Sequence, residues 1–169
     1  MKRTNKVIAM ILAVITVFSA MTIISATTSA KETNVVSKVT TIAKGKCGKE
    51  ATWKLDSKGL LTVSGKGTVD RFDNLFDYNI KVKNVKIGNG ITKVDKYAFE
   101  YCSKLEKATI GTGVVSLSPT AFCSSGRITT YVVAKGNKKL CSVNGVIYNK
   151  NKSKIILYPR GNKRTKYTI

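Results

Sequence analysis

No histidine occurs among the 169 residues, and only nine acidic side chains stand against thirty lysines and arginines. The missing imidazole closes the Ser-His and Cys-His nucleophile arrangements. It also leaves zinc without its usual nitrogen ligand, and Cys47, Cys102, Cys123 and Cys141 show no metal-ligand spacing. No acid follows Glu106, so residues 107–169 hold only cations and neutral groups. A carboxylate pair for glycoside cleavage needs two acids close together, and the only cluster is Asp70, Asp73 and Asp77, which sit in what reads as a connecting turn. The same three oxygens lack the spacing and the turn glycine of an EF-hand loop. An enzyme, a bound cofactor and a resident metal are all unexpected on these grounds. Proline is scarce as well, with Pro119 and Pro159 alone, and Trp53 is the single tryptophan.

What is abundant is positive charge, +21 in net terms. Lys2, Arg3 and Lys6 open the chain, residues 7–26 are apolar apart from Thr and Ser, and Thr28, Ser29 and Ala30 precede Lys31. That order of basic, apolar and small segments predicts a secretory signal peptide over 1–30, cleaved near Ala30, with the product secreted or held at the cell surface. The alternative is an uncleaved anchor, because the apolar run approaches the roughly 20 residues of a spanning helix. Cleavage would leave no stable membrane span. Residues 31–41 are polar and read as a flexible leader. Arg127, Lys135, Lys138, Lys139, Lys150, Lys152, Lys154, Arg160, Lys163, Arg164 and Lys166 make the tail basic, which points to an anionic partner such as wall polymers, acidic glycans or a membrane surface. Nucleic acid is not expected, since an exported chain rarely meets it and the lysines lack interleaved aromatics. The four cysteines allow three full pairings; Cys102–Cys123 is one, and buried thiols acting as small hydrophobes are the preferred reading.

Residues 82–104 and 105–127 carry one pattern twice. Val82/Leu105, Val85/Ala108, Ile87/Ile110, Gly88/Gly111, Gly90/Gly113, Ile91/Val114, Val94/Leu117, Ala98/Ala121 and Phe99/Phe122 each lie 23 positions apart. Repetition of apolar residues and glycines at such a period predicts a stacked solenoid. Each coil reads as a short strand, a glycine turn supplying positive φ, and a short helical turn at 95–99 or 118–122. The expected repeat core is Val85, Ile87, Ile91, Val94, Ala98, Phe99, Leu105, Ile110, Val114, Leu117, Ala121, Phe122, Ile128 and Val133. The outward positions Lys83, Lys86, Lys107, Thr109, Thr130 and Val132 are the candidate ligand-binding residues.

A third coil starts at Ile128, but Asn144 and Gly145 stand where Ala121 and Phe122 would repeat. Residues 146–148 and 155–158 flank a polar turn at 149–153 and predict an inserted C-terminal β-hairpin, after which 167–169 read as the strand of an incomplete next coil. Ahead of the repeats, 51–55 and 60–65 alternate around the turn 56–59 and predict a β-hairpin within an N-terminal cap at 42–81. There Trp53 would cover the open end of the hydrophobic column, and Phe72, Leu75, Phe76 and Tyr78 would pin the cap to the first coil.

The segments VKIGNGITKVDKYAFEYCSKL and ATIGTGVVSLSPTAFCSS, with the flanking cap and hairpin, resemble the BspA-like bacterial leucine-rich repeats. Ala98, Phe99 and Cys102, then Ala121 and Phe122, carry the likeness over about residues 42–169. Gly88 and Gly111 depart from the proline usual after the strand, and Asp95 and Ser118 from the glycine usual before the short helix. The resemblance implies a β-rich α/β solenoid of right-handed coils over 82–169 and a secreted or surface module that binds host or environmental macromolecules, protein or glycan. It supplies no catalytic residue. Electrostatic attachment to anionic cell-wall polymers, with the repeats as scaffold, is the alternative.

Overall fold

A computed structural model of the chain describes residues 38–70, 72 and 81–164. The predicted signal peptide, most of the leader, Asp73, Asp77 and the strand at 167–169 lie outside the described residues. Among those described, no helix is long and apolar enough to cross a membrane.

The alternating run around Trp53 forms β2 (Glu50–Asp56), and Asp56 closes its turn by accepting 2.9 Å hydrogen bonds from the N–H groups of Lys58 and Leu60. The chain returns as β3 (Leu60–Val69), antiparallel to β2. A strand not anticipated, β1 (Thr41–Lys46), pairs with the other edge of β2, so a three-stranded meander replaces the expected hairpin and the leader ends inside the sheet. β3 is ten residues long and serves two parallel partners. Its first half pairs with β4 (Asn84–Ile87) and its last residues with β5 (Ile91–Val94). Between the two halves, Gly65 takes φ +95° and Gly67 φ +79°, which only glycine adopts freely.

From there each strand stacks on its counterpart. β4 pairs with β6 (Lys107–Ile110) and β6 with β8 (Thr130–Val133), aligning Val85, Ala108 and Tyr131 in one inward column. β5 pairs with β7 (Ser116–Leu117), aligning Val94 with Leu117. The third side differs from expectation. Where helical turns are predicted, residues 95–101 and 118–124 form non-helical turns, with Tyr97 at φ 61°, Tyr101 at φ 59° and Ser124 at φ 58°. Their N–H groups point along the stack instead: Tyr97 donates to the Thr120 carbonyl at 3.2 Å, Phe99 to that of Ala121 at 2.8 Å and Tyr101 to that of Cys123 at 3.1 Å. Bonding between coils outweighs the local preference for helix.

The predicted core residues are buried, except that Val133 is only partly so. An aromatic column runs through them. Trp53 meets Phe72 at 6.0 Å between ring centroids, Phe72 meets Phe99 at 5.3 Å, Phe99 stacks on Phe122 at 4.9 Å, and Phe122 meets Tyr131 at 5.3 Å. Where the third coil has Gly145 in place of a phenylalanine, the bulk comes from the strand side, with Tyr131 following Val85 and Ala108.

The corner glycines differ from expectation in cause. Gly88, Gly90, Gly111 and Gly113 all have ordinary φ, and of the corner glycines only Gly136 in the third coil is left-handed, at φ 101°. Their lack of a side chain matters because the coils touch there. A Cβ on Gly111 would lie 2.5 Å from the Gly88 carbonyl oxygen, and one on Gly113 would overlap the Asn89 carbonyl.

The third coil leaves the stack at Asn137, one period after Val114 and fully buried. Its Nδ2 donates to the carbonyls of Gly111 and Val114, both at 2.9 Å, and its Oδ1 accepts from the N–H groups of Lys139 at 2.9 Å and Leu140 at 2.8 Å. Carbonyls of the second coil are thus satisfied by a side chain. β9 (Leu140–Val143) then pairs with β10 (Val146–Asn149), and β10 with β11 (Ile155–Leu157), as a separate three-stranded sheet. This sheet covers β8, whose Tyr131 and Val133 N–H groups donate to the Gly145 carbonyl and the Ser142 hydroxyl, both at 2.9 Å.

Two stability predictions follow from these contacts. Gly113→Ala should lower unfolding free energy by about 1–3 kcal/mol through overpacking against the Asn89 carbonyl, and urea denaturation reads it; a neutral change would refute the close approach. Asn137→Ala strips four hydrogen bonds from a dry site and should cost about 2–4 kcal/mol by the same measurement. A loss below about 0.5 kcal/mol would mean water reaches those carbonyls.

Candidate functional site

Alternation along a strand sends every second side chain to the outer face. In β4, β6 and β8 this exposes two adjacent rows, Asn84, Lys107 and Thr130 in one and Lys86, Thr109 and Val132 in the other. Five of the six candidate residues therefore come together on one face. Lys86 and Lys107 are exposed there, while Thr109, Thr130 and Val132 are half-buried. Lys83 is the exception: it precedes β4 and lines a corner cleft of about 360 Å³ with Ile42, Lys58, Lys81 and Lys104.

The same face continues onto the meander. Thr62 lies beside Lys86, Lys54 beside Thr62 and Lys44 beside Lys54, and in the neighbouring row Ser64, Thr52 and Lys46 follow one another. These outward side chains of β1, β2 and β3 line an open cleft of about 550 Å³. The sequence signal was the polar member of each alternating pair, in Thr52-Trp53-Lys54 and Thr62-Val63-Ser64. Weight given to the buried member hid it.

Among the described residues, no group of three or more Cys, Asp or Glu side chains could hold a metal ion. Asp70 is exposed and donates its backbone N–H to the Cys47 carbonyl at 2.8 Å. Asp95 has its carboxyl held below the ordinary range, first by the hydrogen bond from Lys93 at 2.9 Å and then by the Lys96 N–H at 2.8 Å, in a partly exposed position. All four cysteines are free; Cys47 and Cys102 are buried, Cys123 and Cys141 half-buried. Burial pushes the Cys102 thiol up to about 12, and burial together with the Asp70 charge does the same for Cys47. Burial also raises the Tyr131 phenol. These are packing groups held neutral, not nucleophiles.

Parallel strands stacked over shared inward columns, few helices and no closed barrel define a leucine-rich repeat scaffold. The chain belongs to the family described as the BspA type leucine rich repeat region (6 copies), which matches residues 66–159. Among solved structures it is similar to a leucine-rich repeat protein from Eubacterium ventriosum, with 16% identity over 73% of this chain and 52% of that one and a TM-score of 0.42. It is also similar to the pneumococcal vaccine antigen PcpA, with 14% identity over 72% of this chain and 57% of that one and a TM-score of 0.30. A leucine rich cell surface protein from Faecalibacterium prausnitzii shows 10% identity over 71% of this chain and 62% of that one, with a TM-score of 0.26. The chain thus spans between half and two thirds of the length of these structures. No curated protein matches it.

The thiols give a pH and labelling prediction. Unfolded cysteines ionise near ~8.5, whereas Cys47 and Cys102 in the fold hold their protons to about 12. In that window the folded state binds more protons than the unfolded, so their contribution is full below about pH 8 and declines as pH rises. The urea midpoint should fall between about pH 8 and 10, and fall less in Cys102→Ala. At about pH 8 a thiol reagent should label Cys123 and Cys141 first and reach Cys47 and Cys102 only on unfolding; uniform labelling would contradict the packing.

Proposed function

We propose that this chain is an exported, non-catalytic recognition module that binds an extracellular protein or glycan through the outer face of β4, β6 and β8. In this reading residues 1–30 are removed on export, β1–β3 act as the N-terminal cap of right-handed 23-residue coils, and β10 and β11 are an insertion into the third coil. The observation that carries it is the contrast between the two sides of each strand. Inward residues stay apolar from coil to coil, as in Val85, Ala108 and Tyr131, while the outward rows Asn84-Lys107-Thr130 and Lys86-Thr109-Val132 switch between amide, cation, hydroxyl and aliphatic side chains. Membership of the BspA type leucine-rich repeat family supports the same reading.

A second reading is favoured by the exposed bases Lys135, Lys138, Lys139, Lys150, Lys152 and Lys154 beyond the last acid. It makes the repeats a scaffold and attachment to anionic wall polymers the function. Salt separates the two, because contacts through screened surface charges weaken steeply with ionic strength.

The test screens the full secreted chain against immobilised extracellular-matrix proteins and purified glycans at low and at about 0.5 M salt. A salt-resistant partner whose affinity drops at least about tenfold in Lys86→Ala/Thr109→Ala/Val132→Ala, with the fold intact, supports the face. Binding lost at high salt and untouched by that variant supports wall attachment instead.

A further inference from the structure

We propose that the outer face of β1, β2 and β3 is a binding site for an acidic polysaccharide. It goes beyond the recognition face above, since its residues are different and it stands even if β4, β6 and β8 prove inert.

Antiparallel register sets Lys44 opposite Lys54, Lys46 opposite Thr52, Thr62 opposite Lys54 and Ser64 opposite Thr52. All six line the same open cleft of about 550 Å³, together with Gly45 and Trp53. Lys44, Lys46 and Lys54 are exposed, and none of them makes an ion pair with a described residue. The two acids of these strands stand at the ends of the same face. Glu50 sits opposite Lys66 at one end, and the Asp56 carboxylate is engaged by the Lys58 and Leu60 N–H groups at the other.

Lysines directly across an antiparallel pair, their Cβ atoms roughly 5 Å apart, are a destabilising like-charge pair. Lys44 and Lys54 carry that cost with no carboxylate between them, and an anion in the cleft would relieve it.

The hydroxyls choose the class of anion. Thr52, Thr62 and Ser64 stand among the ammonium groups and are able both to donate to a carboxylate or sulfate and to exchange hydrogen bonds with sugar hydroxyls. An acidic peptide has no side-chain hydroxyls of its own to exchange with them and would draw its affinity from the lysines. Nucleic acid would want several open aromatic faces for its bases; Trp53, the one aromatic lining the cleft, is only 5% exposed and packs edge-on against Phe72. Lys86 lies two strands beyond Lys54 in the same row, about 10 Å away at the usual strand spacing. A polymer with regularly spaced charges fits that continuation better than a single small anion.

Affinity of the full secreted chain for heparin and for hyaluronan, with neutral dextran, poly-glutamate and single-stranded DNA as comparisons, tests this. Lys44→Ala/Lys46→Ala/Lys54→Ala should weaken the acidic glycans at least about tenfold. Lys135→Ala/Lys138→Ala/Lys154→Ala removes the same charge at exposed positions of the C-terminal half and should change them less than about twofold. Thr52→Val/Ser64→Ala keeps every charge and should weaken the glycans while sparing poly-glutamate. All six side chains point outward, so thermal melts of the variants should match the parent. Equal losses in the two lysine variants would reduce the effect to net charge and overturn the site. So would no binding of either acidic glycan, or tighter binding of poly-glutamate or DNA. Thr109→Ala/Val132→Ala, which leaves Lys86 in place, reads the recognition face separately when run alongside.

Discussion

The structure depends on how closely one coil's backbone lies on the next. Ladders between β4, β6 and β8 fix the separation at the hydrogen-bonding distance of a sheet, about 4.8 Å, and the corner must follow at that distance. At the corner the chain presents carbonyl oxygens where a strand would present pleats. Any side chain on Gly111 or Gly113 would occupy the place of the Gly88 or Asn89 carbonyl. Given glycine there, the stack closes on three sides: strands on the first two, and the Tyr97, Phe99 and Tyr101 N–H bonds on the third. The aromatic column then forms because the coils are already in register.

A stack with such strong bonding along its axis has the complementary problem of stopping. At the N-terminal end β3 solves it by being antiparallel on one edge and parallel on the other. A meander thereby becomes the first coil's neighbour. At the other end the solution is chemical. Asn137 replaces the apolar residue of the repeat with an amide that bonds two carbonyls and two N–H groups, so the second coil needs no further backbone above it there. Once β9 is free of the ladder it folds back onto β10, and Ser142 and Gly145 then cover the edge of β8. Among the described residues, no buried side-chain nitrogen or oxygen is left unpaired by these substitutions.

The inward half of this design was legible in the sequence, because burial repeats with the coil. Val85 with Ala108 and Phe99 with Phe122 announce both period and core. What was not legible depends on contacts between coils. The corner glycines look like ordinary turn residues, and positive φ is the local explanation; the true one lies 23 residues away in the neighbouring carbonyl. The residues of 95–101 look like the start of a helix until their N–H groups find Thr120, Ala121 and Cys123. β1 is invisible for a third reason: Thr41-Ile42-Ala43-Lys44-Gly45-Lys46 has weak strand character, and its pairing is supplied by β2. The outward face of the meander went unnoticed because Trp53 and Val63 marked its strands as cap, which says nothing of the side that faces water.

The division between the faces carries the functional argument. A repeat scaffold of this kind is stable whatever its outward residues are, provided that they do not repel, so departures from neutrality on that face need a reason other than folding. Threonine at 109 or 130 meets the folding requirement. A pair of lysines facing each other at 44 and 54 works against it, and no described acid offsets them. Lysines on an outer strand do protect an exposed edge from pairing with other chains, which accounts for Lys44 and Lys46 on β1. It does not account for Lys54 in the middle of the meander, flanked on both sides by paired strands. Lys54 is therefore the residue at which the structural reading of this charge runs out and a ligand begins to explain it.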